Sequence, residues 1–543
     1  MRISIALVVA AALCTVQAHA QADSVARVDS VFRRWSSAEL PGCAVAAARE
    51  GRTLLTRAYG MADLEHDVPN SAETVFEAGS VSKQFTAAAV VLLAQDGKLS
   101  LDDPVRRYVP ELPDYGTPIR IRHLLNHTSG LRDWGSVEEV AGWPRGTRTY
   151  THAHVLDIVS RQRALNFPPG SQYLYSNTGY NLLAIIVERV SGMPFARFTR
   201  ERIFVPLGMT HTAWRDDYTR VVKGRAAAYE MGDDSLPHQQ MPFENVHGNG
   251  GLLTTVGDLL RWDENFASGR VGGRALIDEM QRQGVLTGGR TIEYAEGLFV
   301  TRFRGLPEVS HSGATAGYRA WLARYPEQRL SIALLCNAAQ ANPATLGRRV
   351  ADVFLPPRVQ SPLPTPAALS AAELSARAGL YRNMRTNVPV RFSIREGRLF
   401  GNALPMMPLS ATRFRLGGPE GPTVEFDPAP AGARAALRLI SADGDTVAYE
   451  PVDAWTPANP AAFAGTYRSD EAEVDYTVAV ENGRLVMRRR PDTRLELTPA
   501  YADAFTTEDG WVVRFTRDRS GRVNGFTLWL DRVRGLPFQR TPR

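Results

Sequence analysis

Ser80 and Lys83 stand three residues apart in Phe76-Glu77-Ala78-Gly79-Ser80-Val81-Ser82-Lys83-Gln84-Phe85, and an almost wholly apolar run follows to Ala94. On a helix, positions three apart share a face, so this spacing sets the Lys83 amine beside the Ser80 hydroxyl. A serine is a weak nucleophile until a neighbour takes its proton. A lysine buried at the head of a core helix loses hydration, which lowers its pKa and frees it to be that base. Unpaired N–H groups at the start of the same helix can hold an oxyanion. One short segment can thus supply nucleophile, base and part of an oxyanion hole. A capping serine and a solvated lysine would give the same letters, but the apolar run after Lys83 places that residue where a core helix begins.

Two further clusters could complete such a site. In Gln172-Tyr173-Leu174-Tyr175-Ser176-Asn177, a tyrosinate at Tyr175 could act as general base. The Asn177 amide could hold both a lysine and a substrate carbonyl. In Glu308-Val309-Ser310-His311-Ser312-Gly313-Ala314, the glycine would let a substrate backbone approach an edge strand. His311 and Ser312 would then aim donors into a cleft. The plainer readings are a polar loop before a helix from Asn181 to Ser191, and a strand-end histidine.

Ser80-x-x-Lys83, Tyr175-x-Asn177 and His311-x-Gly313 stand in the order of the three motifs of penicillin-recognising serine hydrolases. The chain resembles the branch that holds class C β-lactamases, DD-peptidases and D-aminopeptidases. Ile121-Arg122-His123-Leu124-Leu125-Asn126-His127-Thr128-Ser129-Gly130-Leu131, Pro206-Leu207-Gly208-Met209-Thr210 and Gly250-Gly251-Leu252-Leu253-Thr254-Thr255 fit the same family, over about residues 24 to 355. The third motif begins with His311, where true β-lactamases usually carry lysine. That departure resembles certain DD-peptidases, D-aminopeptidases and esterases. The resemblance implies covalent acyl transfer at an amide or ester of a small substrate. Ser80 is the nucleophile, and Lys83 and Tyr175 share the proton traffic. Asn177, His311, Ser312 and Gly313 bind substrate, and the N–H groups of Ser80 and Ala314 form the oxyanion hole. No metal or cofactor is implied. A D-amino-acid-specific peptidase or amidase is the favoured activity. β-Lactamase and carboxylesterase activity stay open, as does a non-catalytic sensor or scaffold, although a dead relative should have lost one of Ser80, Lys83, Tyr175 or Asn177.

Other candidates are weaker. His123 and His127 are four apart, but a zinc-protease pattern needs glutamate directly after the first histidine, and Leu124 stands there. They are expected to fix a loop near the cleft. Gly248-Asn249-Gly250-Gly251 lacks the Gly-Lys-Ser/Thr of a phosphate loop and reads as a tight turn before a helix over Asp258 to Phe266. Arg488-Arg489-Arg490 reads as the exposed face of a strand and its turn. The net charge of +6 is small for 543 residues and gives no case for nucleic acid.

Arg2, the apolar run Ile3 to Leu13 and Ala18-His19-Ala20 form a secretory leader, with cleavage expected after Ala20. The mature chain is expected to be secreted, most simply periplasmic, with no membrane-spanning segment. Cys14 leaves with the leader, so Cys43 and Cys336 remain. Both lie in apolar strand-like runs, and two buried free thiols are expected, because neighbouring strands seldom offer disulfide geometry.

A chain of this length should hold several domains. We divide it into a leader (1–20), a catalytic domain (24–355), a proline-rich linker (356–372) and two β units (373–455 and 461–543). The catalytic domain reads as α+β, or α/β, with an antiparallel sheet made from both of its ends: a hairpin over Gly42 to Ala48 and Thr53 to Tyr59, then strands at Tyr318 to Tyr325 and Leu330 to Cys336. A helical region carrying Tyr175 packs against that sheet, and the cleft lies between them. The β units repeat. Ala378-Gly379-Leu380-Tyr381-Arg382 matches Ala464-Gly465-Thr466-Tyr467-Arg468, and Gly397-Arg398-Leu399 matches Gly483-Arg484-Leu485, both 86 residues on. Each unit has the size of a small up-and-down barrel and resembles the lipocalin-like tails of some D-aminopeptidase-type relatives. Nothing in them has catalytic spacing, so they serve either as a platform or to narrow the cleft.

Overall fold

Cys43–Arg49 contains no polar side chain before its last residue, as a strand covered on both faces requires. In the computed structural model, which describes residues 22–357, 365–418, 420–430 and 432–542, it is an inner strand of a six-stranded sheet. The leader lies outside the described residues, as do residues 358–364 of the proline-rich stretch. The strands are β1 (Cys43–Arg49), β2 (Arg52–Tyr59), β3 (Phe299–Phe303), β4 (Leu306–Thr315), β5 (Tyr318–Tyr325) and β6 (Leu330–Cys336). They pair antiparallel in the order β3-β4-β5-β6-β1-β2, so the two ends of the catalytic region meet at β6–β1, as the sequence suggests.

Side chains alternate across β1. Cys43, Val45 and Ala47 face a core with Phe32 and Val350, supplied by α1 (22–32) and α5 (Pro343–Phe354). Ala44 and Ala46 face the larger core beneath α2 (Lys83–Gln95) and α4 (Val256–Ser268). α2 is buried nearly all round, which its uniformly apolar sequence demands. It packs along α3 (Asn177–Ser191), which starts four residues before the sequence expectation and ends on Gly192 at φ 68°.

Cys43 and Cys336 are bonded to each other, not free. They lie directly opposite on β1 and β6. The Asn337 N–H donates to Gly42 O beside them, which makes theirs a non-hydrogen-bonded pair, the position where facing Cα atoms come closest. Here they are 4.0 Å apart. Strand adjacency alone does not reveal register, and register is what lets these two residues meet.

After the linker the chain forms two closed eight-stranded antiparallel barrels, Gly379 to Val452 and Gly465 to Arg540. The sequence repeat marks equivalent points in them. Tyr381 and Tyr467 sit in the first strands, fully buried, and each hydroxyl donates to the carbonyl four residues back, Arg377 O and Phe463 O. Gly397 and Gly483 turn into the third strands at φ 71° and 77°.

The barrels differ in attachment. The second shares one continuous apolar core with the helical region. Tyr476 donates to Val140 O at 2.8 Å, and Arg132 pairs with Glu471 at 2.6 Å, both side chains nearly inaccessible. Arg490, exposed at the turn after its strand as expected, also donates to Ala141 O at the end of the helix Trp134–Ala141. The first barrel has its own core and touches the catalytic domain through Arg290, paired with Asp443 and Asp445. Among the described residues no helix is long and apolar enough to cross a membrane.

Candidate active site

Ser80 lies in a 3-10 turn, Gly79–Ser82, that leads straight into α2. Ser82 locks the turn: its hydroxyl donates to Gly79 O and accepts from the Leu252 N–H. Two glycines let the turn abut β4. A Cβ on Gly79, whose φ is +50°, would come within 2.6 Å of Ala314 N. One on Gly313 would lie 2.0 Å from Ala78 O and 3.0 Å from Ser80 N. Real Cβ atoms do not approach backbone so closely, so glycine is required at both positions. The contact sets the backbone of Ser80 against that of Gly313 and Ala314.

The Lys83 Nζ has three neighbours: Ser80 Oγ at 3.2 Å, Asn177 Oδ1 at 2.9 Å and Asn249 O at 2.7 Å. Lys83 is completely buried. Burial holds its pKa well below the ordinary lysine value, and the charges of Arg532 and Arg145 push it further down, against Asp133. A neutral amine has two N–H donors and one lone pair. Asn177 Oδ1 and Asn249 O can only accept, so the lone pair faces Ser80. Asn249 is a site residue that the sequence reading placed in a mere turn. Its loop is pinned by Thr86 donating to Gly248 O and by Asn181 donating to Asn249 Oδ1.

Tyr175 and Asn177 reach the same point from the helical side. His127 arranges them: its Nδ1 accepts from the Ser176 N–H and its carbonyl from the Leu174 N–H. That is the loop-fixing part expected of it. Asp133 accepts from the Asn177 N–H at 2.6 Å. The Tyr175 hydroxyl is buried, which pushes its pKa up, while the neighbouring Ser80 hydroxyl and the Arg532 charge pull it back down. The Lys83 Nζ lies 4.7 Å from its ring centroid. Burial thus favours the uncharged form of both groups, the phenol of Tyr175 and the amine of Lys83.

His311 does not present the free donor that its spacing predicts. Its Nδ1 is 2.6 Å from Ser312 O, a pure acceptor, so Nδ1 carries the proton. Its Nε2 then accepts from the Tyr294 hydroxyl at 3.0 Å. Burial lowers its pKa to about 3, which keeps the ring neutral. His311 stands in the cleft wall with both nitrogens engaged, while Ser312 and Ala314 beyond it are exposed.

The cleft is a cavity of about 700 Å³ over Ser80, bounded by Tyr175 and Asn177 on one side and Ser312 to Thr315 on the other. Three arginines in its wall carry no motif: Arg145, Arg319 and Arg532. Arg532 is the least foreseeable. It sits at the hairpin turn between the last two strands of the second barrel, with its guanidinium 5.0 Å from the Tyr175 ring centroid. Its carbonyl accepts from Asn166 Nδ2 at 3.0 Å and from the Asp133 N–H at 3.3 Å, which ties the hairpin to the helical region.

Residues 27–354 match the family described as Beta-lactamase. The chain belongs to the beta-lactamase family. It is a serine hydrolase of that family, with two further β barrels. Penicillin-binding protein 4* of Bacillus subtilis is 32% identical over 54% of this chain and 67% of its own length. The D-aminopeptidase of Brucella ovis is 26% identical over 92% of this chain and 96% of its own, so that match runs through both barrels. The crystal structure of D-amino acid amidase from Ochrobactrum anthropi SV3 with L-phenylalanine amide superposes with a TM-score of 0.52 at 25% identity, covering 61% of this chain and 98% of that one.

Proposed function

We propose that this protein is an exported amidase or peptidase that cleaves amide bonds of D-amino-acid substrates through an acyl-enzyme on Ser80. The observation that carries the chemistry is the buried Lys83 Nζ 3.2 Å from Ser80 Oγ, with its other two contacts, Asn177 Oδ1 and Asn249 O, both acceptors, so that a neutral amine turns its lone pair to Ser80. Ser80 attacks the amide carbon and its proton passes to Lys83 Nζ. The carbonyl oxygen becomes an oxyanion between the Ser80 and Ala314 N–H groups, each such donor worth roughly 3 kcal/mol in this kind of site. As the C–N bond breaks, the Tyr175 phenol protonates the leaving amine. The Lys83 ammonium and the Arg532 guanidinium, 4.7 and 5.0 Å from the Tyr175 ring centroid, lower the cost of its charge. Water adds to the acyl ester and its proton goes to Tyr175; as the acid is released, the Lys83 ammonium returns its proton to Ser80 Oγ. Asn177 orients Lys83, and Ser312 and Gly313 line the substrate side with His311 behind them.

Two similarities support the D-specific reading: to a D-aminopeptidase along nearly the whole chain, and to a D-amino acid amidase. Export is supported by the leader and by the Cys43–Cys336 bond, since such bonds persist in oxidising compartments. The test is mass spectrometry of the protein after a fluorophosphonate, followed by paired D- and L-amino acid p-nitroanilides. The adduct should sit on Ser80 and the D series should be hydrolysed faster. Labelling that persists in Ser80→Ala refutes the nucleophile, and an L preference refutes the stereochemistry.

A further inference from the structure

The Asn249 carbonyl that meets Lys83 Nζ belongs to a loop with no regular secondary structure, and its backbone is held from behind by two histidines. His152 is the first residue of the helix His152–Arg161. Its Nε2 lies 3.0 Å from His247 O and 3.3 Å from the His247 N–H. That nitrogen can donate to the carbonyl or accept from the N–H, and either bond ties the His247 backbone to the helix. The His247 Nδ1 donates to Asn245 O at 3.0 Å. The two imidazole rings lie 4.2 Å apart, and Phe195 and Trp214 flank the His247 ring at 5.7 and 6.2 Å. Burial favours the neutral form of both rings. Neither histidine lines the catalytic cavity.

From the His247 carbonyl the hydrogen bonds run on to the base. That oxygen also accepts from Asn181 Nδ2 at 2.9 Å, and the same amide nitrogen donates to Asn249 Oδ1 at 2.7 Å. Asn181 cannot turn over, because its Oδ1 accepts from Trp134 Nε1 at 2.9 Å. Between the two loop residues, Gly248 stands at φ 94°, and an added Cβ there would come within 2.7 Å of Ala184 Cβ on α3. His247 and Asn249 are thus fixed on either side of a glycine pressed against a helix, and the Asn249 carbonyl has one direction.

We propose that His152 is a positioning residue for the reaction: it holds the His247 peptide and, through Asn181 and Asn249, fixes the carbonyl that orients the Lys83 amine toward Ser80. This rests on the reading of Lys83 as the base that accepts the Ser80 proton. The Lys83 amine aims its lone pair at Ser80 because two acceptors claim its N–H groups. A tilt of the Asn249 carbonyl removes one of them, and the amine can then rotate out of line. A misplacement of about 1 Å in such a group costs about 10²-fold in rate. His152 stands outside the cavity, so the loss falls on the chemical step and not on substrate affinity.

The test compares two variants of the full-length enzyme. His152→Gln keeps an amide that reaches as far as Nε2 and can likewise donate or accept. His152→Phe keeps a ring and loses the bond. Stopped-flow labelling of Ser80 by a fluorophosphonate should slow by about 10- to 100-fold in His152→Phe and stay within about threefold of wild type in His152→Gln. KM for an amide substrate should change by less than about twofold in either. In carbon-13 lysine NMR, the Lys83 resonance should move in His152→Phe and keep its wild-type position in His152→Gln. That arm needs no turnover, so a failure of the hydrolase reading stays distinct from a failure of this inference. Asn181→Leu should slow labelling too, and combined with His152→Phe it should be no slower than the slower single variant, because both cut one chain of bonds. If His152→Phe does not fold, His152→Asn, whose amide is too short to reach the His247 peptide, takes its place. A merely structural histidine would lower thermal stability while leaving the Lys83 resonance and the labelling rate of the folded protein unchanged. That result, a His152→Gln as slow as His152→Phe, or fully additive losses in the double variant would overturn the inference.

Discussion

Replacing Glu471 by alanine tests whether the second barrel is locked to the catalytic domain by one buried ion pair. Arg132 and Glu471 approach to 2.6 Å with 1% and 6% of their side chains exposed. At that distance and an effective dielectric of about 20, their attraction is about 6 kcal/mol. Desolvating the two ions costs several kcal/mol each, so the intact pair nets little against an apolar pair. Removing one partner is different, because it leaves Arg132 charged, buried and held only by Gln162 and backbone carbonyls. Such truncations cost about 3–5 kcal/mol. Glu471 also accepts the Arg163 N–H at 2.8 Å, which adds to the loss. The barrel should loosen, and the Arg532 hairpin with it, so kcat/KM should fall by an order of magnitude or more. The assay is a double-mutant cycle in urea, followed by tryptophan fluorescence, with activity measured alongside. Glu471→Ala and Arg132→Met should each be strongly destabilising, and Arg132→Met with Glu471→Leu should recover most of both stability and turnover. A single substitution that costs less than about 1 kcal/mol and leaves kcat/KM intact refutes the reasoning.

Lys83 has a folded pKa below its unfolded value, so between the two the unfolded chain binds a proton that the folded one does not. Stability should therefore rise with pH through that window, by at most about 1.4 kcal/mol per pH unit, and Lys83→Met should be inactive yet more stable at neutral pH. The chain has three lysines, Lys83, Lys98 and Lys223, so carbon-13 lysine NMR can follow the titration directly; a Lys83 midpoint near 10.5 contradicts the neutral base. Gly313→Ala should drive Ala78 and Ser80 off β4 and cut acylation by about 10² to 10³ in a folded protein, checked by circular dichroism with stopped-flow labelling. Breaking the Cys43–Cys336 bond, which closes 293 residues of sequence separation, should cost about 2–5 kcal/mol in urea while leaving turnover nearly unchanged; a large loss of activity instead would tie the bond to the cleft.

The chemistry was legible wherever it depends on neighbours along the chain. Ser80 and Lys83 are one helical turn apart, Tyr175 and Asn177 head a helix, and Gly313 stands on a strand, so local periodicity already assigns each a face. The sheet from both chain ends and the doubled barrel were legible for the same reason: alternation and repeat are properties of sequence order. What only the tertiary structure decided involves pairs distant in sequence. The register of β1 against β6 turned two expected thiols into a bond. The Asn249 carbonyl became the third contact of Lys83 because a loop 166 residues away is pinned over α2. His311 spends its donor on Ser312 O and its acceptor on the Tyr294 hydroxyl. Arg532 reached Tyr175 only because a barrel docks on the helical region, through an apolar core and an ion pair between residues 339 positions apart. Side-chain type and spacing fix what a residue can do. Which charge it faces, and whether its donors are already satisfied, depends on burial and on partners that no local pattern encodes.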